Sequence, residues 1–171
     1  MATEKTVITY IRHAQQTSHR TLDPAIKAPP AHFDISLDYI ISSPYRRCRQ
    51  TADAILKLDS AAHPESEPKS LVIDVRISEY QGSKSPKTGS PKMDPSSMVF
   101  GPLPPIDETW EDFVRRMEEH WEWVTTLTGQ VLIVTHGVVV NYMHEKVTGK
   151  KLYSRGREVP FVTGFSFSFD D

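Results

Sequence analysis

Two apolar runs that each stop on a histidine constrain this chain more than any other feature. Val7-Ile8-Thr9-Tyr10-Ile11 is β-branched and aromatic and ends at Arg12-His13, and Val131-Leu132-Ile133-Val134, the most strand-like run, ends at Thr135-His136-Gly137. A buried strand presents polar residues at its C-terminal end in this way. Between them Tyr39-Ile40-Ile41 ends at Ser42-Ser43-Pro44, where Ser43 as N-cap and Pro44 as first helical residue predict a helix with Tyr45, Cys48, Ala52, Ile55 and Leu56 at helical spacing. Leu71 to Val75 reads as a third strand after a linker containing His63-Pro64 and Glu67-Pro68. Ile106, Trp110, Phe113, Val114, Met117, Trp121 and Val124 form one stripe of a long helix, with Thr109 and Asp112 spaced as a capping box and Gly129 placed to end it. Val138 to Val147 returns as a helix closed by Gly149, and Gly164 to Phe169 alternates Phe with Ser as a half-buried strand at or near a sheet edge. Strands alternating with helices predict an α/β domain with a largely parallel sheet, whose ligands sit beyond the strands' C-terminal ends. His13, Ser43 with its helix N-terminus, and His136 all fall there.

The length, 171 residues, is that of one domain, 1–171. With 20 Lys plus Arg against 22 Asp plus Glu, the net charge of −2 makes no global case for nucleic acid or an acidic membrane as partner, so an anion site has to be local. The one cysteine, Cys48, makes no internal disulfide, and with no long apolar stretch at the N-terminus or elsewhere an intracellular, reducing compartment is expected. From Gln81 to Met98 five Ser, three Pro, two Gly and three Lys leave only two apolar side chains, both Met. Such a segment cannot offset its ordering entropy by burial, so it predicts a mobile loop, which Pro102, Pro104 and Pro105 extend as an irregular region over 81–105. Its Lys84, Lys87 and Lys92, against Asp94, suit either a positive lid over an anion or an insertion that touches no ligand.

Ile11-Arg12-His13-Ala14, the run Ser42-Ser43-Pro44-Tyr45-Arg46-Arg47-Cys48-Arg49-Gln50-Thr51-Ala52, Glu79, and Val134-Thr135-His136-Gly137, in this order, resemble the histidine phosphatase superfamily, branch 1, also called phosphoglycerate-mutase-like. The resemblance implies a phosphoglycerate-mutase-like three-layer sandwich, a central largely parallel sheet with helices on both faces. It also implies a phosphomonoester hydrolase with no cofactor and no metal. Phosphoryl transfer needs an anion cradle, an in-line nucleophile and a proton donor for the leaving oxygen. Arg12 and Arg47 can each present a planar fork to phosphate oxygens, and Arg47 falls in the first turn of its helix. By the resemblance His13 is the phosphohistidine, its second ring nitrogen held by an acceptor such as a backbone carbonyl. His136 donates to the phosphoryl group, and Glu79 is the general acid. Arg46 and Arg49 are expected to be solvated, Cys48 buried and inert, and the aromatic stripe core.

Departures from the family pattern concern the walls of the pocket. Only about 25 residues separate His13 from the second strand, with Asp23-Pro24, Pro29 and Pro30 among them, so the helix usual there is absent or reduced to a turn. Ala14 stands for the usual Gly, Gln15 for Glu, and His19 where many relatives have Asn. Three functions remain open on the sequence: a hydrolase, a mutase returning the phosphoryl group to an acceptor, and a weakly active or non-catalytic phosphate-binding module of a larger assembly. The partner in each is a phosphorylated small molecule or phosphoprotein. The Ser85-Pro86-Lys87 and Ser90-Pro91-Lys92 words match proline-directed phosphorylation sites but arise freely in such a loop.

Overall fold

A computed structural model describes residues 5–17, 25–28, 30, 36–67, 69, 71–82, 99–153 and 158–169. The expectations for His19, Asp23-Pro24, Pro29 and residues 83–98, with their lysines and Ser-Pro-Lys words, lie outside them. In chain order the elements are β1 (Thr6–Arg12), β2 (Tyr39–Ser42), α1 (Arg46–Ala62), β3 (Leu71–Asp74), a 3-10 turn (Val75–Ile77), β4 (Val99–Phe100), α2 (Trp110–Val124), β5 (Gln130–Thr135), α3 (Gly137–Thr148) and β6 (Gly164–Phe169). The sheet order is β4-β3-β2-β5-β1-β6, parallel throughout except for the antiparallel edge strand β6. Among the described residues no helix is long and apolar enough to cross a membrane.

Alternation along the strands divides the core in two. Ile8, Tyr10, Ile41, Val131 and Ile133 pack with Phe113 and Met117 of α2 and Val139, Val140 and Met143 of α3 on one face. Ile11, Ile40, Leu132 and Val134 pack with Cys48, Ala52 and Ile55 of α1 on the other. Helices on both faces are why the inner strands are apolar on both sides. Gly164 opens β6 at a close approach: a Cβ there would lie 1.7 Å from the Tyr10 carbonyl oxygen, so no other residue fits without moving β6 off β1. Phe165 and Phe167 then stack over Tyr10.

Several local expectations need correction. The first helix starts at Arg46, with Tyr45 extended as N-cap (φ −65, ψ 139), not at Pro44. Ser43 cannot cap it because its hydroxyl is bonded to His136, and the Tyr45 carbonyl accepts the first helical N–H groups. Ile106 lies before α2 and is 57% exposed, so it does not belong to the apolar stripe, whereas Thr109 does cap α2 by accepting from Asp112 N–H. α2 ends at Val124; Gly129, at φ 85, instead makes the tight entry into β5, where a Cβ would strike the Asp38 carboxylate. The third strand ends at Asp74, and Val75 begins the 3-10 turn that leads to Glu79. Among the described residues between His13 and β2 there is no helix, only an isolated bridge of Gln16 with Ile26.

Two polar groups are buried inside the α2 face. Asp74 accepts from Arg76 Nε and from His120 Nδ1, each at 2.8 Å, and His120 Nε2 lies 2.8 Å from the Tyr10 hydroxyl. Burial alone would raise the Asp74 carboxyl, but the hydrogen bonds from His120 and Arg76 and the charge of the Arg76 guanidinium hold it below its ordinary value. Arg116, on the same helix as His120, holds the buried Glu108 carboxylate.

Candidate active site

The strand order places the site. β5 lies between β1 and β2, so the ends that carry His136, His13 and Ser43 are neighbours at the point where the chain's path through the sheet reverses. The hydrogen bonding runs one step past the strands: His13 N–H donates to Thr135 O at 2.9 Å and Ser43 N–H to Val134 O at 3.0 Å. Three consecutive strand ends are thereby locked in register.

Arg47, in the first turn of α1 and 1% exposed, sits at the centre. Its Nε donates to His13 Nε2 at 3.1 Å, and its Nη2 reaches His136 Nδ1 at 3.1 Å and Glu79 Oε2 at 2.5 Å. Those contacts assign both imidazoles. The Ala14 carbonyl, 2.8 Å from His13 Nδ1, can only accept, so Nδ1 carries the proton and Nε2 the lone pair. His136 Nδ1 faces a guanidinium that can only donate, so its proton is on Nε2, which donates to Ser43 Oγ at 2.8 Å. Burial is the main cause that keeps both rings neutral. With Arg47 and Arg12 adding to it, His13 is lowered to about 3 and His136 falls well below its ordinary value.

Glu79 has the opposite shift. Enclosure raises its carboxyl above the usual range, against the pull of Arg47 and Arg12, although the side chain remains 33% exposed. A carboxyl with a raised value beside an anion site suits proton donation. Arg12 faces the same place from the end of β1. Its Nη1 donates to Val159 O at 2.5 Å and to Glu158 at 3.1 Å, and its guanidinium lies 4.2 Å above the Phe161 ring. A cavity of about 270 Å³ opens beside it, lined by Arg12, Glu79, the first turn of α3 (Gly137, Val138), Asn141, Glu158 and Val159. His13 and Arg47 are not among its lining residues and stay covered, 3% and 1% exposed.

All five residues singled out in the sequence, Arg12, His13, Arg47, Glu79 and His136, meet here. The N-terminus of α3 and the 158–161 wall were not anticipated; the wall has no motif, and only its approach to Arg12 reveals it. Cys48 is fully buried, with Sγ 3.5 Å from His136 Nε2. Arg46 is exposed, whereas Arg49 is half-buried and not simply solvated.

His13, His120 and His136 are all neutral in the folded chain, because burial outweighs the raising contacts where these exist. Unfolded, each takes up a proton near 6.5; folded, His13 does so only near 3. The unfolded state binds more protons in that interval, so the stability His13 contributes is full above about 6.5 and lost as pH falls towards 3, and the lowered His120 and His136 act with it. Asp74, also lowered, acts in the same direction. Thermal melting at about pH 7.5 and about pH 5 should show the midpoint falling by several degrees at the lower pH; an unchanged midpoint would contradict the buried neutral rings.

The ecdysone phosphate phosphatase of Bombix mori, whose structure was solved with tungstate, is similar over 95% of this chain and 88% of that one, with a TM-score of 0.59 and 14% identity. At that identity the likeness is one of fold, the three-layer α/β sandwich. No curated protein matches the chain. The family model of the histidine phosphatase superfamily (branch 1) matches residues 16–160, which takes in Arg47, Glu79 and His136 and begins just past Arg12-His13. With that match over most of its length, the chain belongs to the histidine phosphatase superfamily, branch 1.

Proposed function

We propose that the chain hydrolyses phosphomonoesters through a phosphohistidine on His13. The observation that carries this reading is the single buried guanidinium of Arg47, which touches the lone-pair nitrogen of one histidine, the ring of a second, and a carboxyl with a raised pKa. Its Nη1, like Arg12 Nε, is a buried donor with no hydrogen-bond partner among the described residues, which suits a phosphoryl oxygen. In this reading the substrate's phosphoryl group displaces the Glu79 carboxyl, which is protonated at that point, from Arg47 and draws the Arg47 Nε hydrogen bond off His13 Nε2. The freed lone pair attacks phosphorus as the bond to the leaving oxygen breaks, and Glu79 gives that oxygen its proton. Water then attacks phospho-His13, Glu79 takes the water's proton, the N–P bond breaks, and inorganic phosphate leaves with His13 neutral again. Arg12, Arg47, the N–H groups at the start of α3, and His136, protonated once an anion faces it, share the charge of the transition state. The scheme calls on no metal and no cofactor, and the substrate is a phosphorylated small molecule or phosphoprotein.

The test is release of inorganic phosphate from aryl phosphates with no acceptor added, which a mutase or a binding module would not give. Glu79→Gln should lower kcat by roughly 10²-fold for phenyl phosphate, whose leaving group needs a proton, and by less than roughly tenfold for 4-nitrophenyl phosphate. Equal losses on both would remove Glu79 as the acid, and no phosphate release by the unaltered protein would remove the hydrolase reading.

A further inference from the structure

Resting on the proposed role of Glu79 as general acid, we infer that the buried pair Arg116–Glu108 is the positioning device for that acid. Arg116 lies on the buried face of α2, and all five of its N–H donors are engaged. Nε and Nη2 hold the Glu108 carboxylate at 2.6 and 2.9 Å. The other three N–H groups go to backbone carbonyls on the segment that carries the acid: Nη1 to those of Arg76 and Ser78, the latter at 2.7 Å, and Nη2 to that of Glu79 itself at 3.2 Å. Glu108 closes the clamp from the far side, accepting from Gln81 N–H at 3.2 Å. Residue 79 is thus pinned at its own carbonyl, at the one before it, and at the amide two residues later.

The surroundings argue that this is more than packing. Ile77, Phe113 and Met117 already join the turn to α2 through apolar contact, and a buried ion pair is seldom more stabilising than the apolar side chains that could replace it. What the planar guanidinium adds is direction, since no apolar group fixes three carbonyls at once and a lysine ammonium lacks the fork. Precision of this kind matters for a proton donor, where an error of about 1 Å costs rate without costing fold. The Gln81 side chain carries the placement onward, donating at 2.6 Å to the hydroxyl of Tyr45, whose ring stands edge-on to His136.

Arg116→Met alone would leave Glu108 buried without its partner and risks unfolding, so the main variant is the double change Arg116→Met with Glu108→Leu, which replaces the pair by apolar groups; Arg116→Lys is the second. Positioning predicts that either folded variant loses roughly 10- to 100-fold in kcat on phenyl phosphate and less than about threefold on 4-nitrophenyl phosphate, with KM for both nearly unchanged. Independently of turnover, the Glu79 carboxyl, followed by NMR, should titrate lower than in the parent as it swings towards water, and the Gln81 amide should exchange faster. Equal losses on the two substrates, or an unchanged Glu79 titration in a folded double variant, would overturn the clamp. If the parent protein hydrolyses neither substrate, the hydrolase reading has failed, and the titration and exchange results judge the clamp by themselves.

Discussion

Replacing His13 by alanine is expected to lower kcat for an aryl phosphate by roughly 10⁴-fold or more, whatever the leaving group, and to leave phosphate binding nearly intact. The asymmetry follows from the geometry. The His13 ring contributes one lone pair, on Nε2, and its other nitrogen is spent on the Ala14 carbonyl, so it is fixed and neutral before substrate arrives. Because His13 is lowered to about 3, the nucleophile stays neutral well below the pH at which a free imidazole would be lost to protonation, and the acid limb of the rate profile should not lie near 6.5. Arg12, Arg47 and His136 remain in place in the variant, so inorganic phosphate should still inhibit or bind competitively. Residual turnover within tenfold of the parent would exclude a nucleophilic role for His13.

Arg47→Ala should lower kcat/KM by roughly 10³-fold, and Arg47→Lys by nearly as much. One guanidinium contacts His13 Nε2, His136 Nδ1 and Glu79 Oε2, with Nη1 left for the anion. An ammonium on a shorter, unbranched head cannot reach all three. Loss of the charge also removes a cause of the lowered values at both histidines, so His13 and His136 should move back up towards ordinary imidazoles. The Arg47→Ala rate profile should therefore acquire an acid limb at higher pH than the parent's. Steady-state kinetics across pH, with circular dichroism to confirm folding, measure both effects; a variant with unchanged profile and a merely raised KM would reduce Arg47 to a surface anion contact.

What could be read from the sequence followed from periodicity and from residues that face a single environment. β5 is a continuous apolar run because helices cover both faces, β1 is half-open at Val7 and Thr9 beside the edge strand, β6 alternates because its outer face is open, and Gly149 closes α3 at φ 73 as its position suggested. Arg12, His13 and His136 were legible for a related reason, since each stands at or just past the end of a strand, where an α/β sheet collects its ligands, whereas Arg47 and Glu79 were picked out by the family resemblance. Residues whose partners are distant in sequence were not legible. Ser43 looks like an N-cap until its hydroxyl is found on His136, 93 positions away, and then the helix starts three residues later than Ser43 itself. Arg116 and His120 were not singled out: both share the buried face of α2 with Phe113, Met117 and Val124, but nothing in their spacing shows that a buried carboxylate waits there, and only the fold brings Glu108 and Asp74 to them. The 158–161 wall on Arg12 is of the same kind.

Hydrolysis by this route depends on the covalent step at His13. Rapid acid and alkaline quenching of the protein during turnover of a labelled phosphomonoester tests it most directly, followed by peptide mapping of any retained label. The expected result is label that is lost in acid and survives alkali, on the peptide containing His13, turning over to inorganic phosphate without an acceptor. Turnover with no such label under conditions that trap a histidine phosphoramidate, or label that persists in His13→Ala, would contradict it.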